Sequence, residues 1–222
     1  MYLIHYIQYK ISLKEEYRMS VDTTALFKIS YGLYLLTSKL HDKHNGCIIN
    51  TATQLTSNPI TLSVAVNKQN YTHDMIMQSG KLNISVLTES APFDLYKHFG
   101  FQSGRTTDKF SGFEGAEISE NGLYYLTKNC SAVISCNVVH TVDCQTHTLF
   151  IVSVNEAFKL SDEAPVTYEY YQKNVKQSAV KPEEKKSGYV CKVCGYVYEG
   201  EPLPDDFICP WCKHPASDFE KL

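Results

Sequence analysis

Four cysteines near the end of the chain stand in two C-x-x-C pairs, a spacing that is typical of metal sites. The pairs are Cys191 with Cys194 and Cys209 with Cys212, and fourteen residues separate them. Each pair can form a tight knuckle that directs two thiolates at one ion, and four sulfurs impose a tetrahedral geometry that suits zinc or iron. The spacing therefore predicts a metal centre and leaves both metals open.

The residues around the cysteines resemble rubredoxin. The stretches CKVCGYVYEG and PDDFICPWC, followed by Phe219, are similar to the paired knuckles and the closing aromatic residue of that family. The resemblance implies one iron ion per chain, cycling between ferric and ferrous states. Lys213 departs from the family, which usually has a second knuckle glycine there, and a structural zinc ribbon is the alternative. The ligands so implied are Cys191, Cys194, Cys209 and Cys212.

A second stretch, INTATQLTSNPITLSVAVNKQNYTHDMI (49–76), carries small polar groups at two places. Residues 50–56 crowd hydroxyl and amide groups into a predicted strand-end loop, where they can pair with the polar edge of a planar heterocycle. Residues 67–72 precede a predicted helix with Thr72 as N-cap and Gly80 as the stop signal. A helix start favours an anion, and Lys68 adds a positive charge. A phosphorylated heterocycle fits this pattern, as does an ordinary capped turn.

This stretch is similar to the flavin reductase family, which has an FMN-binding split-barrel fold. ALFKISYGLYLLTS before it, and SGKLNISVL, DCQTHTLFIVSVNEA and APVTYEYY after it, extend the resemblance over nearly all of residues 19–171. The resemblance implies FMN bound at a homodimer interface. The implied FMN contacts are Asn50, Thr51, Thr53, Gln54, Leu55, Thr56, Asn67, Lys68, Asn70, Tyr71, Thr72 and Phe99.

His147 matches the family's histidine near the reactive face of the flavin, where it implies a catalytic role in placing a nicotinamide. The alternative is a strand histidine satisfied by hydrogen bonds. Val152–Ser153 replaces the Gly-x that usually follows in the family. The chain needs no nucleophile or acid–base pair for hydride transfer, because that chemistry belongs to NADH or NADPH and the flavin.

The elements that position these residues are mostly strands. Alternating or β-branched runs predict strands at 29–38, 46–50, 60–66, 82–88, 131–142 and 147–158. Short helices are predicted after Thr72 and after Ser90, and the second has Phe93, Tyr96 and Phe99 on one side. Many strands with few helices indicate a mainly β fold with a closed or nearly closed barrel.

Composition divides the chain into four parts. Residues 1–18 are predicted to be an extension or a misassigned start, because MSVDTTALFKIS from Met19 reads as a natural start, and an extra packed helix or strand is the alternative. Residues 19–171 form the predicted FMN-binding domain and residues 172–187 a charged linker with five lysines and two glutamates. Residues 188–222 form the rubredoxin-like domain.

The overall charge and the remaining cysteines exclude some classes of protein. A formal net charge of −3 argues against a nucleic-acid binder, and no apolar run is long enough to span a membrane. Without an export signal, the cysteines indicate a cytoplasmic protein with few disulfides. Cys47, Cys130, Cys136 and Cys144 are predicted to be small buried hydrophobic residues.

A flavin reductase body followed by a rubredoxin-like tail resembles the high-molecular-weight rubredoxins. That resemblance implies electron flow from NAD(P)H through FMN to the iron, and on to a flavodiiron protein that reduces oxygen or nitric oxide, or to a rubrerythrin-type peroxidase. The alternative enzyme releases reduced flavin and uses a zinc-bound tail for docking. A third hypothesis, outside enzymes, is a flavin-storing or flavin-sensing protein.

Overall fold

The computed structural model describes residues 23–176, 188–192, 196–210 and 215–222, and the chain forms two units, Met1–Ser30 and Tyr31–Leu222. The described part of the first unit contains a 3-10 helix, Thr23–Lys28. The predicted extension, residues 1–18, lies outside the described residues. The second unit contains the β-sheets and the α-helices of the described residues.

Nine strands lie between residues 31 and 176, all of which the structure describes. They are β1 (Tyr34–Leu40), β2 (Lys43–Ile49), β3 (Ala52–Ser57), β4 (Ile60–Asn67), β5 (Lys81–Leu87), β6 (Ala116–Ile118), β7 (Tyr124–Leu126), β8 (Cys130–Cys144) and β9 (His147–Lys159). The short strands β6 and β7 pair with each other. The other seven form one antiparallel sheet in the order β2-β1-β5-β8-β9-β4-β3.

The large sheet buries apolar residues on both faces, so that neighbouring residues of one strand belong to different cores. Leu36 of β1 packs with residues of β2, β4, β5, β8 and β9 in one cluster, which shows that the sheet curls around it. Leu35 packs on the other side with Tyr96, Phe99 and Val133. The predicted mainly β fold with a nearly closed barrel is confirmed as a split barrel.

Between residues 31 and 176, three α-helices lie outside the sheet: α1 (Tyr71–Ser79), α2 (Phe93–Gly100) and the single turn α3 (Tyr168–Tyr170), which continues as a π-helical turn, Tyr171–Lys176. Gly80 ends α1 at φ 65°, a left-handed conformation that glycine adopts without steric cost, as predicted. The prediction of Thr72 as N-cap is wrong, since Asn70 holds that position. The buried side of α2 carries Tyr96 and Phe99.

Two features of the sheet differ from the sequence-based prediction. Residues 50–56 were predicted as a strand-end loop, but residues 52–57 form the edge strand β3, because exposed threonine and glutamine pair with β4 without burying an apolar face. The regular alternation predicted for 131–142 is interrupted by irregularities between Ser135 and Cys136 and between Val138 and His140. Such bulges shift which side chains face inwards.

The C-terminal part forms a small three-stranded antiparallel sheet of β10 (Tyr189–Cys191), β11 (Val197–Tyr198) and β12 (Phe219–Lys221), with β10 in the centre. A 3-10 turn, Ala216–Asp218, leads into β12. Phe219 is buried with Cys191 and Cys209, so one aromatic side chain packs beside both described knuckle cysteines.

Three of the four scattered cysteines are buried as predicted: Cys47, Cys130 and Cys136. The prediction is wrong for Cys144, which lies exposed near the tip of the β8–β9 hairpin. Among the described residues, no helix has the length and apolar character needed to cross a bilayer.

Candidate functional site

A pocket of about 450 Å³ lies between the start of α1 and the segment that follows α2. Its lining comes from five places: β2 residues including Cys47 and Ile48, Asn67 with residues 69–72, residues 99–104, Lys109, and Pro210. The volume falls in the range of small-molecule and cofactor sites. The pocket is therefore the candidate binding site of the body.

The start of α1 presents an open helix N-terminus to this pocket. Its N-cap Asn70 is extended (φ −70°, ψ 129°), and no side chain among the described residues caps the helix. Asn67 fixes the preceding turn, because its Oδ1 accepts from Gln69 N at 2.8 Å and its carbonyl oxygen accepts from Asn70 N at 3.0 Å. First-turn N–H groups without an intrahelical partner, together with the helix dipole, favour an anion such as phosphate.

Asn45 contributes a buried amide to the pocket wall. Its Nδ2 donates to Thr72 Oγ1 at 2.9 Å, and its Oδ1 is buried without a hydrogen-bond partner in the described part of the chain. A Cβ at Gly104 would lie 2.2 Å from that oxygen, so this loop needs glycine to approach so closely. An unsatisfied buried acceptor is costly. The wall therefore suits a ligand that carries its own N–H or O–H donor.

Lys109 places a buried ammonium in the same pocket. The side chain is 2% exposed, and Nζ donates to the carbonyl oxygens of Gly46 and Phe99, each at 2.8 Å. Burial lowers the pKa of Lys109 to about 8, and the neighbouring Cys47 opposes part of that effect. Burial also raises the pKa of Cys47, against the hydrogen bond with Thr72 and the charge of Lys109. At neutral pH the pocket thus contains a cation beside a neutral thiol.

Two further cations lie around Tyr71, which lines the pocket. The Lys43 ammonium is 4.9 Å from the centroid of the Tyr71 ring, and the Arg105 guanidinium is 5.0 Å from it. Arg105 also pairs with Asp74 Oδ2 at 2.6 Å. The helix start therefore lies in a region of positive charge that only Asp74 offsets among these contacts.

A hydrogen-bonded chain connects α1 to β9. His73 Nε2 lies 2.9 Å from Thr148 Oγ1, and its Nδ1 lies 3.1 Å from Asp74 Oδ1. Burial raises the pKa of Asp74, but hydrogen bonds with His73 and Arg105 outweigh it and hold that pKa below its ordinary value. These contacts hold the start of α1 in place on the barrel.

The structure brings only part of the predicted FMN contacts to the pocket wall. The predicted residues that line it are Asn67, Asn70, Tyr71, Thr72 and Phe99. Lys68 follows Asn67 but pairs with Asp143, with 2.7 Å between Nζ and Oδ2.

The predicted contacts at 50–56 lie along the exposed sheet edge rather than among the residues that line the described pocket. Thr51 is held to β4, since its Oγ1 donates to the carbonyl oxygen of Ala65 at 2.8 Å. Thr53, Gln54, Leu55 and Thr56 extend away on β3, and Thr56 is about 17 Å beyond Thr51 at the usual rise of a strand. Asn50 lies next to Thr51, two residues after the lining residue Ile48.

His147 begins β9 and lies opposite the lining residue Asn67 in the strand register. It is half-buried, and its Nδ1 lies 2.9 Å from Thr146 Oγ1. This histidine is therefore one strand away from the pocket wall. Its role in placing a nicotinamide stays a prediction.

Cys191 and Cys209 of the predicted metal centre lie buried in one cluster with Phe219, at 1% and 0% exposure. Cys194 and Cys212 lie outside the described residues, so no group of three or more metal-binding side chains is found among those that are described. Tyr196, Tyr198 and Phe207 surround the cluster. A buried thiol pair inside an aromatic shell is what a shielded sulfur-ligated metal requires.

Asn45, Gly104 and Lys109 were missed by reasoning from the sequence. Lys109 lies in a polar loop, where a lysine is normally solvated, and the neighbouring residues do not indicate that it is buried. The turn-forming stretch SGRTTDKF, which contains Gly104, is the sequence feature that indicates a loop of defined conformation here.

Comparison with known proteins agrees with this architecture. A model of the flavin reductase like domain matches residues 26–179, and a model of the rubrerythrin, rubredoxin-like domain matches residues 189–220. The chain is 37% identical to the high molecular weight rubredoxin of Moorella thermoacetica, over 91% of this chain and 100% of that protein. These matches show that the chain belongs to the flavin reductase-like family, in the form that carries a C-terminal rubredoxin-like domain.

Two further matches concern the body. A ferric-chelate reductase (NAD(P)H) of Archaeoglobus fulgidus is 38% identical over 68% of this chain and 89% of that protein. The styrene monooxygenase flavin reductase of Pseudomonas putida S12 superposes with a TM-score of 0.55 at 25% identity, over 65% of this chain and 89% of that one. The chain is therefore an oxidoreductase, and its predicted resemblance to the high-molecular-weight rubredoxins is confirmed.

Proposed function

We propose that the protein passes electrons from NAD(P)H, through FMN in the body, to an iron ion held by four cysteines, and on to an acceptor protein. The observation that carries this proposal is that one chain combines a cofactor-sized pocket at an open helix N-terminus with a buried pair of knuckle cysteines. A flavin reductase-like domain followed by a rubredoxin-like domain supports the same order of carriers.

The residues present fit FMN. The open start of α1, at Asn70, Tyr71 and Thr72, suits the phosphate, and the unpaired Asn45 Oδ1 suits a hydroxyl or ring N–H. Phe99, which is among the pocket residues, is proposed to wall the ring. In this proposal the predicted contacts at 50–56 bind the ring's polar rim, and Lys68 and His147 lie at the margin of the site. These contacts are Asn50, Thr51, Thr53, Gln54, Leu55 and Thr56.

When bound, FMN supplies the conversion between a two-electron hydride donor and a one-electron metal centre. The chain's own residues then hold the bound FMN, orient it and shield it from water. Lys109 fixes the end of α2 against β2 through its two carbonyl contacts, and its charge favours electron-rich ligands in the pocket. His147 is proposed to orient the nicotinamide, while NADH and NADPH both remain candidates.

Iron is proposed as the metal of Cys191, Cys194, Cys209 and Cys212. Cys191 and Cys209 are buried beside Phe219, and thiolates shielded from water suit a redox centre whose potential depends on burial. The acceptor is proposed to be a flavodiiron protein or a rubrerythrin-type peroxidase. Purified candidates of both classes can be compared by the rate at which they reoxidise the reduced chain.

A homodimer is part of this proposal. Leu55 and Ile60 on the β3–β4 edge are each 50% exposed, and Val139 on β8 is 58% exposed. An unpaired sheet edge with exposed apolar side chains is typical of a surface that another chain covers. A partner on this edge would also enclose the predicted contacts at 50–56.

The domain boundaries and the compartment belong to the same proposal. We assign residues 19–171 to the flavin domain, 172–187 to the linker and 188–222 to the iron domain, although a helical turn occupies Tyr171–Lys176. A cytoplasmic location fits buried cysteines that form no disulfide among the described residues.

Replacing one knuckle ligand tests this function. Cys209→Ser should leave NAD(P)H-dependent reduction of FMN unchanged and abolish transfer to an acceptor protein. Cys144→Ser, at an exposed cysteine on the body, is the matched control and should change neither activity. Equal loss of both activities in Cys209→Ser would mean that the tail supports the body structurally. A tail that purifies with zinc would favour the alternative, a reductase that releases reduced flavin.

A further inference from the structure

Pro210 belongs to the second knuckle of the terminal domain and yet lines the pocket of the body. It lies directly after Cys209 and two residues before Cys212. The other lining residues come from β2, the start of α1 and the loop before it, and the end of α2 with the loop that follows as far as Lys109, all more than one hundred positions earlier in the chain. Pro210 is itself exposed, so it is the outer surface of the knuckle that reaches the pocket.

The position of Pro210 places a predicted iron ligand beside the pocket. Consecutive Cα atoms are about 3.8 Å apart, so Cys209 lies one residue from the pocket lining. Cys209 is fully buried within the terminal domain. Cys209, a predicted iron ligand, is thus next in sequence to a residue that lines the space that suits FMN.

Charge complementarity favours the same arrangement. Residues 188–222 contain three lysines and six acidic residues, a net charge of −3. On the body, Lys43 and Arg105 lie against the ring of Tyr71, which lines the pocket. Opposite charges on two surfaces speed their encounter and fix their orientation.

We propose that the described part of the second knuckle, Cys209 and Pro210, docks over the flavin pocket of its own chain, so that transfer from flavin to iron takes place within one subunit. This inference rests on the proposed function for the direction of electron flow, but not for the contact itself. With both groups bound, each transfer would take one electron from reduced FMN to ferric iron, and the ferrous iron so formed would pass it to the acceptor. Two such transfers would return the flavin to its oxidised form, with its protons released to solvent.

The tether makes docking within one chain efficient. Eleven residues, 177–187, connect Lys176 to Gly188. A short tether gives a second binding event an effective concentration of about a millimolar. Chains of other dimers are present at much lower concentrations in an assay, so their contact competes poorly. Between the two subunits of one dimer, the choice rests on the position of Pro210 beside the pocket of its own chain.

Photo-crosslinking of the full chain, loaded with iron and FMN, tests the contact. Replacing Pro210 by p-benzoylphenylalanine should give crosslinks to peptides that contain residues 67–72 or 99–104. The matched control places the same group at Pro204, an exposed proline of the same domain that is not among the pocket residues. It should give no crosslink to those peptides. Crosslinks from both positions, or from neither, would overturn the proposal.

A mixed-isotope sample separates contact within a chain from contact with a partner. Chains carrying the crosslinker are expressed separately from ¹⁵N-labelled chains that lack it, and the two are then mixed and refolded together. The proposal predicts crosslinked peptides in which both halves are unlabelled, whereas labelled–unlabelled pairs would assign the pocket to the partner subunit. If the substitution at Pro210 costs the iron, the same group at Gln102 of the body tests the contact from the other side and should crosslink to residues near the second knuckle.

Stopped-flow absorption gives an independent measurement. Pro210→Lys should slow iron reduction about tenfold or more, because it brings a like charge towards Lys43 and Arg105, while Pro204→Lys changes neither iron reduction nor FMN reduction by NAD(P)H. In the unaltered chain, the rate constant for iron reduction should not change on dilution. A rate that falls in proportion to concentration would overturn docking within the chain. Failure of the proposed function would appear differently, as FMN that NAD(P)H does not reduce or a chain without iron.

Discussion

Lys109 gives the most specific prediction about the pocket, because a buried ammonium makes stability depend on pH in a defined direction. The pKa of its side chain falls from 10.5 to about 8 in the folded chain. A lowering of roughly 2.5 units corresponds to about 3 kcal/mol that disfavours folding at neutral pH. Two hydrogen bonds, to the carbonyl oxygens of Gly46 and Phe99, offset that cost.

The direction in which the free energy of unfolding changes with pH follows from proton binding to Lys109. Between pH 8 and 10.5 the unfolded chain holds the proton on Lys109 more tightly than the folded chain does, so this group makes the free energy of unfolding rise with pH. The destabilisation is full below about pH 8 and is relieved progressively up to about pH 10.5. From pH 7 to pH 9 the contribution rises by roughly 1.3 kcal/mol.

The assay compares urea unfolding of the wild-type chain and Lys109→Met at pH 7 and pH 9. The difference in unfolding free energy, wild type minus variant, should increase by about 1 kcal/mol over this interval. Cys47 titrates beside Lys109, so the same pair of measurements in a Cys47→Ala background removes its contribution. A difference that stays constant or decreases with pH would refute the placement of a charged Lys109 inside the pocket.

Three further predictions concern the helix start, the metal centre and the sheet edge. Thr72→Ala should weaken FMN binding about tenfold in a fluorescence titration, because it removes the acceptor for Asn45 Nδ2, whereas Thr72→Ser should bind normally. Phe219→Ala should speed iron loss to a chelator, because it opens a cavity beside Cys191 and Cys209; unchanged loss would show that this ring does not shield the metal. Leu55→Glu should shift the proposed dimer towards monomer in light scattering, and an unchanged mass would place the interface elsewhere.

The strands that could be predicted from the sequence are those with an apolar, β-branched face. The runs at 60–66, 82–88 and 147–158 correspond closely to β4, β5 and β9, since their alternation reflects burial against the barrel core. Strand β3 was missed because it is an exposed edge of threonine, glutamine and serine, and its pairing partner, not its own pattern, makes it a strand.

The site was predictable where local chemistry defines it. The paired knuckle cysteines and the turn before α1 are short motifs whose residues lie close together in sequence, and the motif already restricts their geometry. Lys109, Asn45 and Gly104 reach the pocket only through the packing of β2, α2 and the loop after it. The approach of Pro210 to the pocket is a contact between distant parts of the chain, which no local pattern encodes.

The central claim is that flavin and iron form one electron path in this chain, and an anaerobic NADH titration followed by visible absorption tests it most directly. FMN accepts two electrons and the iron accepts one, so full reduction should consume about 1.5 equivalents of NADH per chain and bleach both chromophores. The Cys209→Ser variant should consume about 1.0 equivalent and bleach FMN alone. Iron that stays oxidised in the unaltered chain while FMN bleaches at about one equivalent would contradict the account.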